Sequence, residues 1–115
     1  MQYMLLIYQN EAAMAQARQQ DVGAVVAAYG AYTKAMVDAG VFVAGDRLER
    51  SANGTTVRSE NGKTKVLNGP YAETKEQLGG YYLIECKDLD AALSWAARCP
   101  NVQTGVMEVR PVVKM

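Results

Sequence analysis

Residues 2–8 are apolar on both alternations, with Tyr3, Leu5 and Ile7 on one and Met4, Leu6 and Tyr8 on the other. That pattern predicts a strand covered on both faces. Residues 10–20, rich in Ala and Gln behind Asn10 as N-cap, predict a short helix. In the following segment Val22, Val25, Val26, Tyr29, Thr33, Met36 and Val37 recur every three or four positions, which predicts a helix with one apolar stripe. Asp21 is its expected N-cap and Gly40 its expected end. Residues 41–44 predict a second strand, again apolar on both alternations.

Three Asn-Gly pairs then begin at Asn53, Asn61 and Asn68. Taking Asn61-Gly62 as a two-residue loop sets Glu60 against Lys63 and Val57 against Val66. This predicts a hairpin over residues 55–60 and 63–67, with an ion pair beside the turn. Thr74 to Gln77 has the form of a capping box, but Gly79-Gly80 stops anything it starts within about one turn. Residues 80–86 predict another two-sided strand. Asp88 caps a helix carrying Leu89, Ala92, Leu93 and Ala96 on one stripe, which Pro100 stops. Residues 104–110 predict a last strand, and Pro111 at its end argues against a central position.

Without the hairpin the order is β-α-β followed by β-α-β. This is the split βαβ, ferredoxin-like α+β arrangement: an antiparallel sheet with both long helices on one face, and an inserted β-hairpin. No repeat, linker or low-complexity tract interrupts residues 1–115, so one domain is expected. The helices cover only one sheet face, yet the strands are apolar on both. A bare face of that size calls for a partner, and the expected partner is a second copy, packed sheet to sheet with a cavity between the sheets or between sheet and hairpin.

Composition narrows the chemistry. Twelve basic and twelve acidic residues leave a net charge of zero, a poor basis for holding a phosphate backbone, so no direct nucleic-acid contact is expected. The chain contains no histidine, which removes His-based triads, His-ligated zinc and the usual neutral-pH proton switch. Cys86 and Cys99 lie in no metal-binding spacing and read as free thiols in a reducing cytoplasm. Neither metal nor cofactor is expected. The longest uncharged run, between Asp21 and Lys34, is too short for a membrane span. A soluble cytoplasmic protein is the expectation.

The stretch Asn68-Gly-Pro-Tyr-Ala-Glu-Thr-Lys-Glu-Gln-Leu-Gly-Gly-Tyr-Tyr-Leu-Ile-Glu85 resembles the signature of the YCII-related, DGPF-domain family. Residues 2–8, residues 39–45 and the closing Glu108-Val109-Arg110-Pro111 match in the same order. The resemblance implies a ferredoxin-like fold that dimerises into an α/β barrel. It also implies that some relatives are lyase-like enzymes using a His–Asp pair, and that others accompany extracytoplasmic-function sigma factors. The His–Asp chemistry does not carry over to a chain without histidine. Within the motif Asn68 stands where the family usually has Asp and Tyr71 where it has Phe, so the first position cannot act as a carboxylate base.

Without histidine, a general base must be a carboxylate, a Lys or a Tyr. Asp46 and Glu73 are the acid/base candidates, since Asp46 follows an apolar strand and Glu73 sits in a polar segment beside the motif. Arg47 and Lys75 are the anion-holding candidates, and Tyr8 and Tyr81 supply amphipathic ligand-facing surface. Each has a plainer reading: surface pairing for Glu73, Lys75 and Glu76, core or interface packing for the tyrosines, a tight turn for Asn68 to Tyr71, and a structural pair for Glu108 and Arg110. The functional expectation is a homodimeric small-molecule-binding protein with lyase- or isomerase-like chemistry open to it. The alternative is a non-catalytic regulatory or interaction module associated with a sigma factor.

Overall fold

Tyr3, Leu5 and Ile7 anchor the interior of the fold, because one alternation of the first strand turns wholly inward and the other stays half-exposed. The structure is a computed structural model and describes residues 1–16 and 22–115. Its strands are β1 (Gln2–Gln9), β2 (Phe42–Arg47), β3 (Thr55–Glu60), β4 (Lys63–Asn68), β5 (Gln77–Glu85) and β6 (Val106–Pro111). Its helices are α1 (Glu11–Gln16), α2 (Val22–Asp38) and α3 (Leu89–Arg98), with short 3-10 turns at Ser51–Asn53 and Pro100–Gln103.

Four strands form one antiparallel sheet in the order β2-β5-β1-β6, and β3 and β4 pair separately as a ribbon. Setting the ribbon aside, this is the ferredoxin-like order, with the first strand of each βαβ half (β1 and β5) at the centre and the second (β2 and β6) at an edge. The expected α+β architecture is therefore present, hairpin included. No helix among the described residues is long and apolar enough to cross a membrane.

The core lies between the sheet and the helices. Leu5, Met36 and Ile84 are fully buried there, each worth about 2–3 kcal/mol of apolar burial. The Tyr32 and Tyr82 rings meet edge-on at 5.4 Å, and Phe42 lies against Tyr82 at 6.3 Å. Their hydroxyls stay satisfied: Tyr32 donates to the Trp95 carbonyl at 2.7 Å, and Tyr82 shares a 3.0 Å bond with Thr33. The Arg98 guanidinium covers the outer face of Trp95.

Several local expectations are met. Asn10 Oδ1 accepts from the Ala13 amide at 3.0 Å and Asp88 Oδ1 from the Ala91 amide at 2.9 Å, so both caps operate. Gly40 takes φ +76° at the end of α2. The Asp21 cap lies outside the described residues. Asn61 and Gly62 both have positive φ, and Val57 faces Val66 as the two-residue loop requires.

Other expectations are corrected. Glu60 is in register with Lys63, but its ion pair is to Lys65, at 2.9 Å. The α2 stripe does not bury as a unit: Tyr32 and Met36 are buried, whereas Val22, Val25, Val26 and Val37 are more than half exposed. Tyr29, Tyr32 and Met36 carry α2 onto the core, and among the described residues the first turns of the helix have little to pack on. On α3 the alanines Ala92 and Ala96 are buried and Leu89 and Leu93 are not. Thr74 to Gln77 forms no helix; Gln77 opens β5.

Candidate functional site

The sheet face away from the helices carries two cross-strand rows. Register places Asp46, Tyr81, Leu6 and Glu108 side by side, with Ala44, Leu83, Met4 and Arg110 in the row beyond. Three interstrand steps of about 4.8 Å set the backbone positions of Asp46 and Glu108 roughly 14 Å apart across the sheet. Met4, Leu6 and Leu83 give the floor between them an apolar character.

A bulge on β2 decides which residues reach this face. Phe42 pairs with Ile84 on the helix side, yet Ala44 pairs with Leu83, leaving Val43 unmatched. Uninterrupted alternation from Phe42 would have turned Asp46 under the helices. The extra residue reverses the parity, bringing Asp46 out and Gly45 in. Gly45 is needed because a Cβ there would stand 2.6 Å from the Tyr82 ring. A second irregularity, where Ile7 pairs with Gly80 but Tyr8 with Leu78, leaves Gly79 beside the Gln9 side chain.

Each carboxylate holds a phenol. The Tyr81 hydroxyl donates to Asp46 Oδ2 at 2.9 Å, and the Tyr8 hydroxyl donates to Glu108 Oε1 at 3.2 Å. Tyr81 ionises above its ordinary range because Asp46 accepts its proton in a hydrogen bond and adds a like charge. Tyr8 is raised first by desolvation and then by the bond to Glu108. At neutral pH both phenols are therefore protonated donors beside carboxylate acceptors, a pairing able to orient a polar ligand atom or pass a proton to it.

The predicted residues divide. Asp46, Tyr81 and Tyr8 share the open face. Arg47 falls on the opposite alternation, level with Gly80, and lines an exposed groove of about 420 Å³ with Leu48, Glu49, Arg50 and Asn53. Glu73 and Lys75 are exposed in the segment between β4 and β5, and no ion pair or hydrogen bond among the described residues joins them to the open-face row. Asn68 ends β4 opposite Thr55, and Gly69 takes φ +93° while its amide donates to the Gly54 carbonyl at 2.7 Å. Of the expected turn only the positive φ of Gly69 is present, with Asn68 itself the last residue of β4.

Sequence reasoning missed two residues. Glu108 was paired with Arg110, but it takes the Tyr8 hydroxyl, and Arg110 forms no ion pair among the described residues. The available signal was the β6 alternation, which sets Val106, Glu108 and Arg110 on one face. Asn101 is the other. It is 4% exposed, and its Nδ2 donates to the carbonyls of Tyr8 at 3.1 Å and Val106 at 3.2 Å. It thereby locks the strand ends that carry Tyr8 and Glu108. No sequence pattern marks it.

Glu11 secures the neighbouring end of the sheet. Its carboxylate accepts from the Ser51 hydroxyl at 2.6 Å and amide at 2.8 Å, and its own amide donates to Gln77 Oε1 at 3.1 Å. The Ser51 hydroxyl bond holds the Glu11 carboxyl below its usual range, against a partial desolvation penalty. Among the described residues, no three His, Cys, Asp or Glu side chains converge as metal ligands.

Comparison with known proteins follows the same outline. The YCII-related domain matches residues 1–115. An uncharacterised protein of Rhizobium meliloti (strain 1021) is 38% identical over 114 residues, covering 97% of this chain and 92% of that protein. With the domain matched from end to end and a relative of this similarity over nearly the same length, the chain belongs to the YCII-related domain family.

Proposed function

We propose that two copies of the chain pack open face to open face in the cytoplasm and bind a small molecule between their sheets. The observation that carries this reading is the open face itself: an apolar floor of Met4, Leu6 and Leu83 bracketed by the Tyr81–Asp46 and Tyr8–Glu108 pairs. A soluble chain does not ordinarily leave such a face bare. Surface area supports the pairing. The chain exposes 8270 Å², whereas a compact monomer of its mass exposes roughly 6,200 Å².

In this reading Asp46 is the general base and the Tyr81 phenol a neutral donor, with Tyr8 and Glu108 orienting the far end of the ligand. That set suits a cofactor-free proton transfer of the lyase or isomerase type. Glu73 and Lys75 belong to the rim, where the Lys75 cation holds an anionic group of the ligand, while Arg47 faces the other side of the sheet.

The test is light scattering coupled to size exclusion, followed by a thermal-shift ligand screen on wild type and Asp46→Asn. A dimer whose melting temperature rises with a ligand, and rises less in Asp46→Asn, is the expected result. A monomer at micromolar concentration overturns the reading. A dimer that no ligand stabilises supports the non-catalytic module instead, to which Asn68 lends weight by standing where the family usually has a carboxylate.

A further inference from the structure

We infer that the β3–β4 ribbon is an arm that docks on a second copy of the chain through one of its two faces. This rests on the dimer proposed above and goes beyond it, because sheet-to-sheet packing alone assigns the ribbon nothing. Register divides the ribbon by charge. Thr55, Val57, Ser59, Thr64, Val66 and Asn68 share one face, which is uncharged. Arg58, Glu60, Lys63 and Lys65 all lie on the other. An independent ribbon in water has no reason to segregate its charges in this way.

Nor has it the means to stay folded alone. Val57 and Val66 form its central cross-strand pair and are 64% and 61% exposed, so the pair buries little. A two-stranded hairpin uncovered on both faces is at best marginal in water. The ribbon nevertheless leaves the sheet through a well-defined base, where Thr56 Oγ1 donates to the Gly69 carbonyl at 2.8 Å. Its projection contributes to a radius of gyration of 16.1 Å, against roughly 13 Å for a compact chain of this length.

Surface area makes a second copy the occupant. The excess surface, roughly 2,000 Å² per chain, is of the size that obligate homodimers bury. The same chain also offers uncovered apolar surface to receive the arm: the first half of α2, where Val22, Val25 and Val26 are 51–59% exposed. Two-fold symmetry then makes each copy both donor and acceptor of an arm. The segment leaving the ribbon carries Tyr71, Glu73 and Lys75, so docking brings these residues to the partner's face and completes the rim of the proposed site.

Sedimentation equilibrium on three proteins tests this. Val57→Lys/Val66→Lys should raise the dimer dissociation constant at least about tenfold, as loss of a buried apolar anchor does, while Arg58→Ser/Lys65→Ser should leave it within about twofold. A wild-type dimer with the valine variant within twofold of it overturns the arm and leaves the sheet-to-sheet dimer standing; equal weakening by both variants overturns the assignment of faces. A monomeric wild type overturns the dimer and the arm together. Circular dichroism checks that each variant folds. If the valine variant does not, hydrogen exchange on the wild type decides: ribbon amides should lose protection on dilution through the dimer dissociation constant, and protection independent of concentration overturns the arm.

Discussion

The Tyr81 hydroxyl donates to Asp46 Oδ2 across 2.9 Å, tying β5 to the edge strand β2 on the open face of the sheet. Because the carboxylate favours the protonated phenol, Tyr81 ionises above the usual tyrosine value. Asp46→Asn should return this ionisation toward about pH 10. Ultraviolet difference titration, with Tyr81→Phe to assign the step, reads the change. Superimposable curves for wild type and Asp46→Asn would show that the pair does not form in solution.

Asn101 bonds two carbonyls from inside the protein, those of Tyr8 and Val106. Asn101→Ala removes both of these buried bonds and should cost about 2 kcal/mol. Urea unfolding measures this. Since the same residue locks the strand ends bearing Tyr8 and Glu108, ligand binding on the open face should weaken as well.

Gly45 lies against the buried Tyr82 ring, with no room for a methyl group. Gly45→Ala should destabilise the protein by about 1–3 kcal/mol through overpacking. Removing the ring as well, in Gly45→Ala/Tyr82→Leu, should recover part of that loss relative to Tyr82→Leu alone. Strict additivity of the two changes would place the strain elsewhere.

The Glu11 carboxyl is held below its usual range in the folded state, chiefly by the Ser51 hydroxyl. A lowered folded pKa contributes stability that is fully present above the unfolded value of about 4.3 and is lost as pH falls below it. Ser51→Ala should therefore cost about 1 kcal/mol at pH 7 and flatten the acid side of the stability profile. An acid limb as steep as that of wild type would assign it to another carboxylate.

Alkaline stability should behave in the opposite sense. Burial pushes the Tyr29 and Tyr32 phenols well up in the folded state. A raised folded pKa gives stability that is fully present below the unfolded value of about 10 and declines as pH climbs past it, by about 1.4 kcal/mol per pH unit for each phenol. Urea midpoints between pH 9 and 11 follow this decline, and Tyr32→Phe should make it shallower.

How much of this was legible in the sequence depends on the range of the interaction. Residues 2–8, the Asn61-Gly62 turn, the Asp88 cap and the order of elements were readable because alternation, turn chemistry and capping act over a few residues. Asp46, Tyr8 and Tyr81 could be named as candidates from residue type and neighbourhood. The two-sided apolar strands also announced a face that the helices do not cover.

Only tertiary structure decided how those candidates combine. The Val43 bulge reverses the parity of β2, so adjacent Asp46 and Arg47 part company, one to the open face beside Tyr81 and the other level with Gly80. Register across β1 and β6 gives Glu108 to Tyr8 rather than to Arg110. The overhang of α2 leaves Val22, Val25 and Val26 of its stripe exposed where periodicity alone buries them. In each case the partner lies far along the chain, or a single unpaired residue shifts the pattern, and a local rule of period two or 3.6 contains neither fact.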